Sequence, residues 1–73
     1  MMSKKYAEIK VGGKYKGLIN GCIFKVVEER KEKLHNDIYY LVEFEDKEQN
    51  KNPEWARIYS KSFLEHLQIK EYL

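Results

Sequence analysis

Few side chains in this sequence are of a type that does chemistry. Cys22 is the sole cysteine, and His35 and His66 are the two histidines. A nucleophilic thiol needs a neighbouring imidazole and an electropositive setting to lower its pKa. Cys22 instead follows Gly21 and opens the apolar run Ile23-Phe24, the position of a buried structural cysteine. His35 and His66 paired with Asp37 or Glu65 would offer nitrogen and oxygen donors for a metal, but the spacing matches no known ligand set and no Cys or third His completes one. Two exposed histidines and no metal is the expectation. Glu28, Glu29, Glu43 and Glu45 are carboxylates without a pocket to perturb them, because a chain of 73 residues has little material with which to wall one off. Gly12-Gly13-Lys14 lacks the spacing and following helix of a phosphate-binding loop, and reads as a tight bend into a strand. The expectation is a chain that is not an enzyme and has no catalytic residues, cofactor or small-molecule substrate.

Two sets of side chains suit binding. Trp55, Arg57 and Tyr59 alternate along one segment, and Tyr39 and Leu41 alternate along another; on paired strands these five would share one outward face, and Trp, Tyr and Arg dominate binding hot spots. The alternative is that these aromatics cover the far side of a thin domain or pack on an N-terminal arm carrying Tyr6 and Ile9. The second set is Lys10, Lys14, Lys16 and Lys25, which would contact phosphate while Tyr15 or Trp55 stacks on bases. Net charge is only +2, and five acidic residues between Glu43 and Glu54 would repel phosphate. A protein partner or self-association therefore ranks first and nucleic acid second.

The elements that must position these residues follow from turn chemistry and periodicity. The pattern predicts a strand near 9–16, a turn through 17–21 with Asn20-Gly21 as a type I′ pair, and a return strand from Cys22. Phe24 and Val26 alternate with Ile23, Lys25 and Val27. The charged stretch Glu28–Lys33 has no apolar face for a helix to pack, so it reads as a hairpin arm projecting into solvent. Leu34-His35-Asn36-Asp37 turns the chain into its strongest strand, Ile38 to Glu45. There Ile38, Tyr40, Val42 and Phe44 form the core face, and Tyr39, Leu41, Glu43 and Glu45 the other. Residues 46–53 read as a loop with Asn50, Asn52 and Pro53 as breakers. Trp55–Tyr59 reads as a strand with Ala56 and Ile58 inward. A helical turn at 60–66 with a Ser62/Glu65 capping box and a last short strand at 67–70 complete the chain. The result is a mainly β domain, a small five-stranded SH3-like barrel with one helical turn before the last strand.

Gly13-Lys14-Tyr15-Lys16, Gly21, Phe24-Lys25-Val26-Val27, Tyr39-Tyr40-Leu41-Val42, Trp55-Ala56-Arg57 and Phe63-Leu64-Glu65 occur here in an order that resembles a bacterial and phage family of small SH3-like domains of unknown function. That family opens on Gly-x-Tyr, continues with a Tyr/Phe-x-Val strand and ends with Trp-Val-Arg and a Phe-Leu-Glu turn; the likeness spans about residues 12–69. It departs where Ile58 stands in place of the family's Pro, and where the loop before Trp55 is longer and more acidic. The resemblance implies the barrel and a bacterial or phage accessory protein, and no activity.

Length and composition set the outer bounds. A chain this short supports one core and one domain, here residues 1–73 with a folded part at about 9–70 and a flexible start at 1–8. At 42% apolar residues it lies far from the composition of disorder. No apolar run nears the ~20 residues of a membrane span, and Met1-Met2-Ser3-Lys4-Lys5 precedes no signal core, so a soluble, cytoplasmic protein without a membrane partner is expected. Residues 1–33 hold nine Lys or Arg against four Glu, and residues 34–73 hold five against eight acids. In a folded sheet those halves interleave, so the asymmetry alone makes no patch.

Overall fold

The computed structural model describes residues 8–72. Five strands run antiparallel in one sheet: β1 (Lys14–Gly17), β2 (Ile23–Glu32), β3 (Asp37–Phe44), β4 (Ile58–Ser60) and β5 (Ile69–Glu71). A helix, α1 (Lys61–His66), joins the last two, and two 3-10 turns, Lys47–Lys51 and Glu54–Arg57, fill the connection from β3 to β4. The spatial order is β4-β3-β2-β1-β5, a meander whose final strand returns beside the first. β4 and β5 are its two outer strands and no ladder joins them, so the sheet is open. Among the described residues, no helix is long and apolar enough to cross a membrane.

Period-2 patterning builds the core. Tyr15, Phe24 and Phe44 share one row of the sheet, Val26 faces Val42, and all five are buried with Tyr40. Leu64, Leu67 and Ile69 complete the cluster from the α1 side, and Ile9, Cys22, Ile38 and Tyr59 pack on its margin. The aromatic rings meet tilted or edge on, Phe24 to Phe44 at 6.4 Å and Phe44 to Tyr59 at 6.2 Å, as ring quadrupoles prefer. Cys22 is thus a packing residue with a free thiol.

Several expectations shift in detail. β1 starts at Lys14, because Gly12 adopts φ 92° and Gly13 lies against the Tyr15 ring, where a side chain would collide. The β1–β2 connection is no type I′ pair: Gly21 has positive φ but Asn20 does not, and the Asn20 side chain instead accepts from the Cys22 N–H at 3.0 Å. The cap of α1 is Ser60, whose hydroxyl accepts from Phe63 N–H at 3.1 Å, in place of the Ser62/Glu65 box. The flexible start and Tyr6 concern residues that, Glu8 apart, lie outside the described ones.

The hairpin arm is present. β2 and β3 pair continuously to the rung Glu32–Asp37, with Val27 as an extra residue where the register shifts. β4 reaches only Tyr39–Leu41, so beyond it the arm is two strands wide. Its turn closes through Asn36 at φ 57°, a residue type that tolerates the left-handed region.

Burial of phenols gives one pH expectation. Burial, and then the Glu29 carboxylate, raise Tyr40 above its ordinary 10.0, and burial raises Tyr59. Unfolded tyrosines ionise first, so this stabilisation is complete below about pH 10 and is lost as pH climbs through the raised folded values. Urea midpoints should fall between about pH 9 and about pH 11, and fall less in a Tyr40→Phe/Tyr59→Phe variant. Equal slopes in the two proteins would refute this account.

Candidate functional site

The segment carrying Trp55 is not a strand. Glu54–Arg57 is a 3-10 turn that follows Pro53, and only Ile58–Ser60 pairs with β3. With about three residues per turn, Trp55 and Arg57 project about 120° apart and cannot share a face by alternation. The pairing also inverts the expected sides. Tyr59 stands opposite Tyr40 on the core face, and Ile58 stands opposite Leu41 on the outer one. Tyr59 is half-buried between Phe44 and Phe63, the latter stacked at 5.5 Å.

Of the five expected contact residues, Trp55 is therefore the open one, at 76% exposure. Tyr39 is half-buried on the outer face, in the same row as Arg30 and Ser60. Leu41 lies on that face too, but at 9% exposure it is closed to a partner. Arg57 is turned inward: Nη1 donates to the Val42 carbonyl at 3.1 Å, and its Nε is buried without a hydrogen-bond acceptor among the described residues.

The ladder explains why Arg57 sits there. Val26 spends both its backbone groups on Gly12 and Gly13, at 2.8 and 2.9 Å. Val42 opposite must then direct its own groups away from β2, toward the side where β4 has already ended. Arg57 supplies the missing donor. Two residues further, Asn50 does the same for Phe44: its Oδ1 accepts from the Phe44 N–H at 2.8 Å and its Nδ2 donates to the Phe44 carbonyl at 2.7 Å. One side-chain amide replaces a strand residue. In the sequence Asn50 reads only as a loop breaker, and nothing local marks it otherwise.

The Trp55 turn is fastened on its other flank as well. Glu54 forms an ion pair with Arg30 of β2, which also binds Glu28 at 3.2 Å, and the two carboxylates hold the guanidinium pKa above its ordinary value. Trp55 is thus held outward by a turn clamped to both β2 and β3. Comparison with family models, with curated proteins and with solved structures finds no match.

The lysine set is split in the same way. Tyr15 is a core residue, 2% exposed, whose hydroxyl donates to the Glu8 carbonyl and accepts from the Lys10 N–H, so it cannot stack on a base. Lys14 pairs with Lys25 across the outer face, but Lys14 is bound to Glu45 at 3.2 Å and Lys25 stands opposite Glu43. Lys16 stands opposite Lys70 of β5, a like-charge rung. Lys10 is exposed near the start of the described chain.

Proposed function

We propose that this chain is a small, non-catalytic protein-interaction module of the SH3-like kind, whose partner docks on the outer face around Trp55. The meander order with β5 beside β1, and a helical turn between the two outer strands, supports the SH3-like reading. The observation that carries the function is the exposed Trp55 on a clamped turn. A large apolar side chain held in place loses little freedom on binding, which is what makes tryptophan an effective hot spot. Tyr39, Ile58 and the ion-paired Arg30 give the face a mixed apolar and polar floor. Arg57 acts in this reading by positioning the turn, and Tyr59 by packing on the core face between Phe44 and Phe63.

The two roles separate by mutation. Trp55→Ala should change stability by less than about 0.5 kcal/mol, as an exposed substitution does, yet abolish capture of the protein partner. Arg57→Ala removes a charge-assisted bond to a carbonyl that has no other donor among the described residues; it should cost about 1–2 kcal/mol and weaken capture indirectly. Affinity capture with native protein and both variants, alongside urea melts, tests this. If the same proteins are retained by native protein and Trp55→Ala, the docking face is wrong.

The Lys16–Lys70 rung favours a second reading, a nucleic-acid-binding domain in the manner of KOW or Tudor-like barrels. Anisotropy titrations with single- and double-stranded DNA and RNA over a range of salt decide it. Binding that falls steeply with salt and is lost in Lys16→Glu/Lys70→Glu would place this reading first.

A further inference from the structure

The tip of the β2–β3 arm brings together three groups that sequence spacing kept apart. Glu32 and Asp37 face each other in the last rung of the ladder, and His35 lies in the turn between them. One donor atom from each lies within 4.8 Å of the other two, and the closest pair, His35 Nδ1 and Glu32 Oε1, is at 2.9 Å. In sequence His35 and His66 stand with Asp37 or Glu65 as an incomplete set; the structure leaves His66 at the end of α1 and brings Glu32 to His35 and Asp37 through the antiparallel pairing. Left-handed Asn36 makes the turn that places His35 beside both carboxylates.

The rung itself argues for a cation. Like charges directly opposite each other in a sheet destabilise the pair. Lys31 and Lys33 flank Glu32 in sequence, yet among the described residues neither forms an ion pair, and Asp37 has none. The two carboxylates thus converge without a lysine or arginine between them; Glu32 is met by a hydrogen bond to the His35 imidazole, which when neutral keeps one ring nitrogen with a lone pair to offer. We infer that this tip is a binding site for a zinc-class divalent cation, held by Glu32, His35 and Asp37, with water completing the coordination.

The donor set selects among metals. One imidazole and two carboxylates suit zinc and the neighbouring late transition ions, whereas calcium and magnesium prefer oxygen donors alone. Donors on a tetrahedral zinc, with bonds of about 2.0–2.2 Å, stand about 3.5 Å apart. All three side chains are exposed at a hairpin tip, so rotamer changes suffice to close the remaining gap. Bound metal would cross-link the ends of β2 and β3 where, among the described residues, no third strand supports them. The site is distinct from the Trp55 face and does not depend on the proposed docking function.

The test is calorimetric titration of the full chain with zinc chloride, in parallel with His35→Ala, Asp37→Asn and His66→Ala, each checked for native circular dichroism. One equivalent should bind saturably. Asp37→Asn and His35→Ala should each weaken binding at least tenfold, His66→Ala should leave it unchanged, and magnesium chloride should give no heat of binding. Amide exchange at Lys31, Glu32 and Ile38 should slow on adding zinc to the native protein. Zinc binding that survives both His35→Ala and Asp37→Asn, that vanishes in His66→Ala, or that never saturates would overturn the assignment.

Discussion

Leu64→Ala should destabilise the protein by about 2–5 kcal/mol, the range for emptying a fully buried leucine site. Leu64 is 1% exposed and is the only buried residue of α1. The helix has six residues, too few to be stable alone, so its hold on the sheet depends on that one side chain together with Leu67 and Ile69 just beyond it. A domain of this length has about 4–11 kcal/mol of stability in all, so the variant would lie near the edge of folding. The urea midpoint should fall sharply with an unchanged slope. Phe63→Ala, one residue away, removes an exposed ring stacked on Tyr59 and should cost only about 1 kcal/mol. If Phe63→Ala proved the more damaging, the packing face of α1 would be misassigned.

The second large effect concerns Asn50. Asn50→Ala leaves the N–H and carbonyl of Phe44 without partners in a half-sheltered setting, and should cost about 2–3 kcal/mol. Asn50→Asp is the sharper probe. At neutral pH it keeps the acceptor for the Phe44 N–H but sets a carboxylate oxygen against the Phe44 carbonyl, so it should be as damaging as alanine. Once protonated, the introduced carboxyl can donate to that carbonyl, which raises its folded pKa above the ordinary ~3.9. Its penalty therefore shrinks as pH falls through that raised folded value and is smallest below the ordinary one. Urea midpoints of native protein and both variants at about pH 7 and about pH 3 check this. An Asn50→Asp protein with native stability at neutral pH would show that the amide does not bridge the edge. Amide exchange gives an independent reading, because the Phe44 N–H should lose protection in Asn50→Ala.

The clamp residues have a wider consequence. β4 covers only three residues of β3, and the remaining exposed ladder groups would invite another strand to add on. Asn50 and Arg57 occupy that stretch with side chains, which blocks strand addition and seats the Trp55 turn in one step. Binding through this edge would have to displace both, whereas binding on Trp55 displaces neither. That contrast favours docking on the outer face over strand augmentation at this edge.

What the sequence determined by itself was everything that depends on local alternation and turn chemistry. Ile38 to Phe44 reads as a half-buried strand because apolar side chains recur every second residue, and Tyr40, Val42 and Phe44 are buried as that period requires. The arm at Glu28–Lys33 was legible because its charges leave no helical face to bury, and the short helix before a last strand was legible from Ser60 onward. The five strands of a mainly β domain follow from these elements. What only the tertiary structure decided was the fate of segments whose partners are distant. Trp55 to Tyr59 alternates as well as many strands do, but the open carbonyl of Val42 and the carboxylate-seeking Arg30 draw the first part into a 3-10 turn. The side chains after it then fall on opposite faces from those that alternation implies. A one-residue change of phase reverses every side chain of a strand, so Tyr59 entered the core and Ile58 left it. Tyr15 was offered to a base and is instead enclosed, because its row partners are Phe24 and Phe44. Glu32, His35 and Asp37 became neighbours for the same physical reason: antiparallel pairing, and no local spacing rule, decides which residues of a hairpin stand opposite each other.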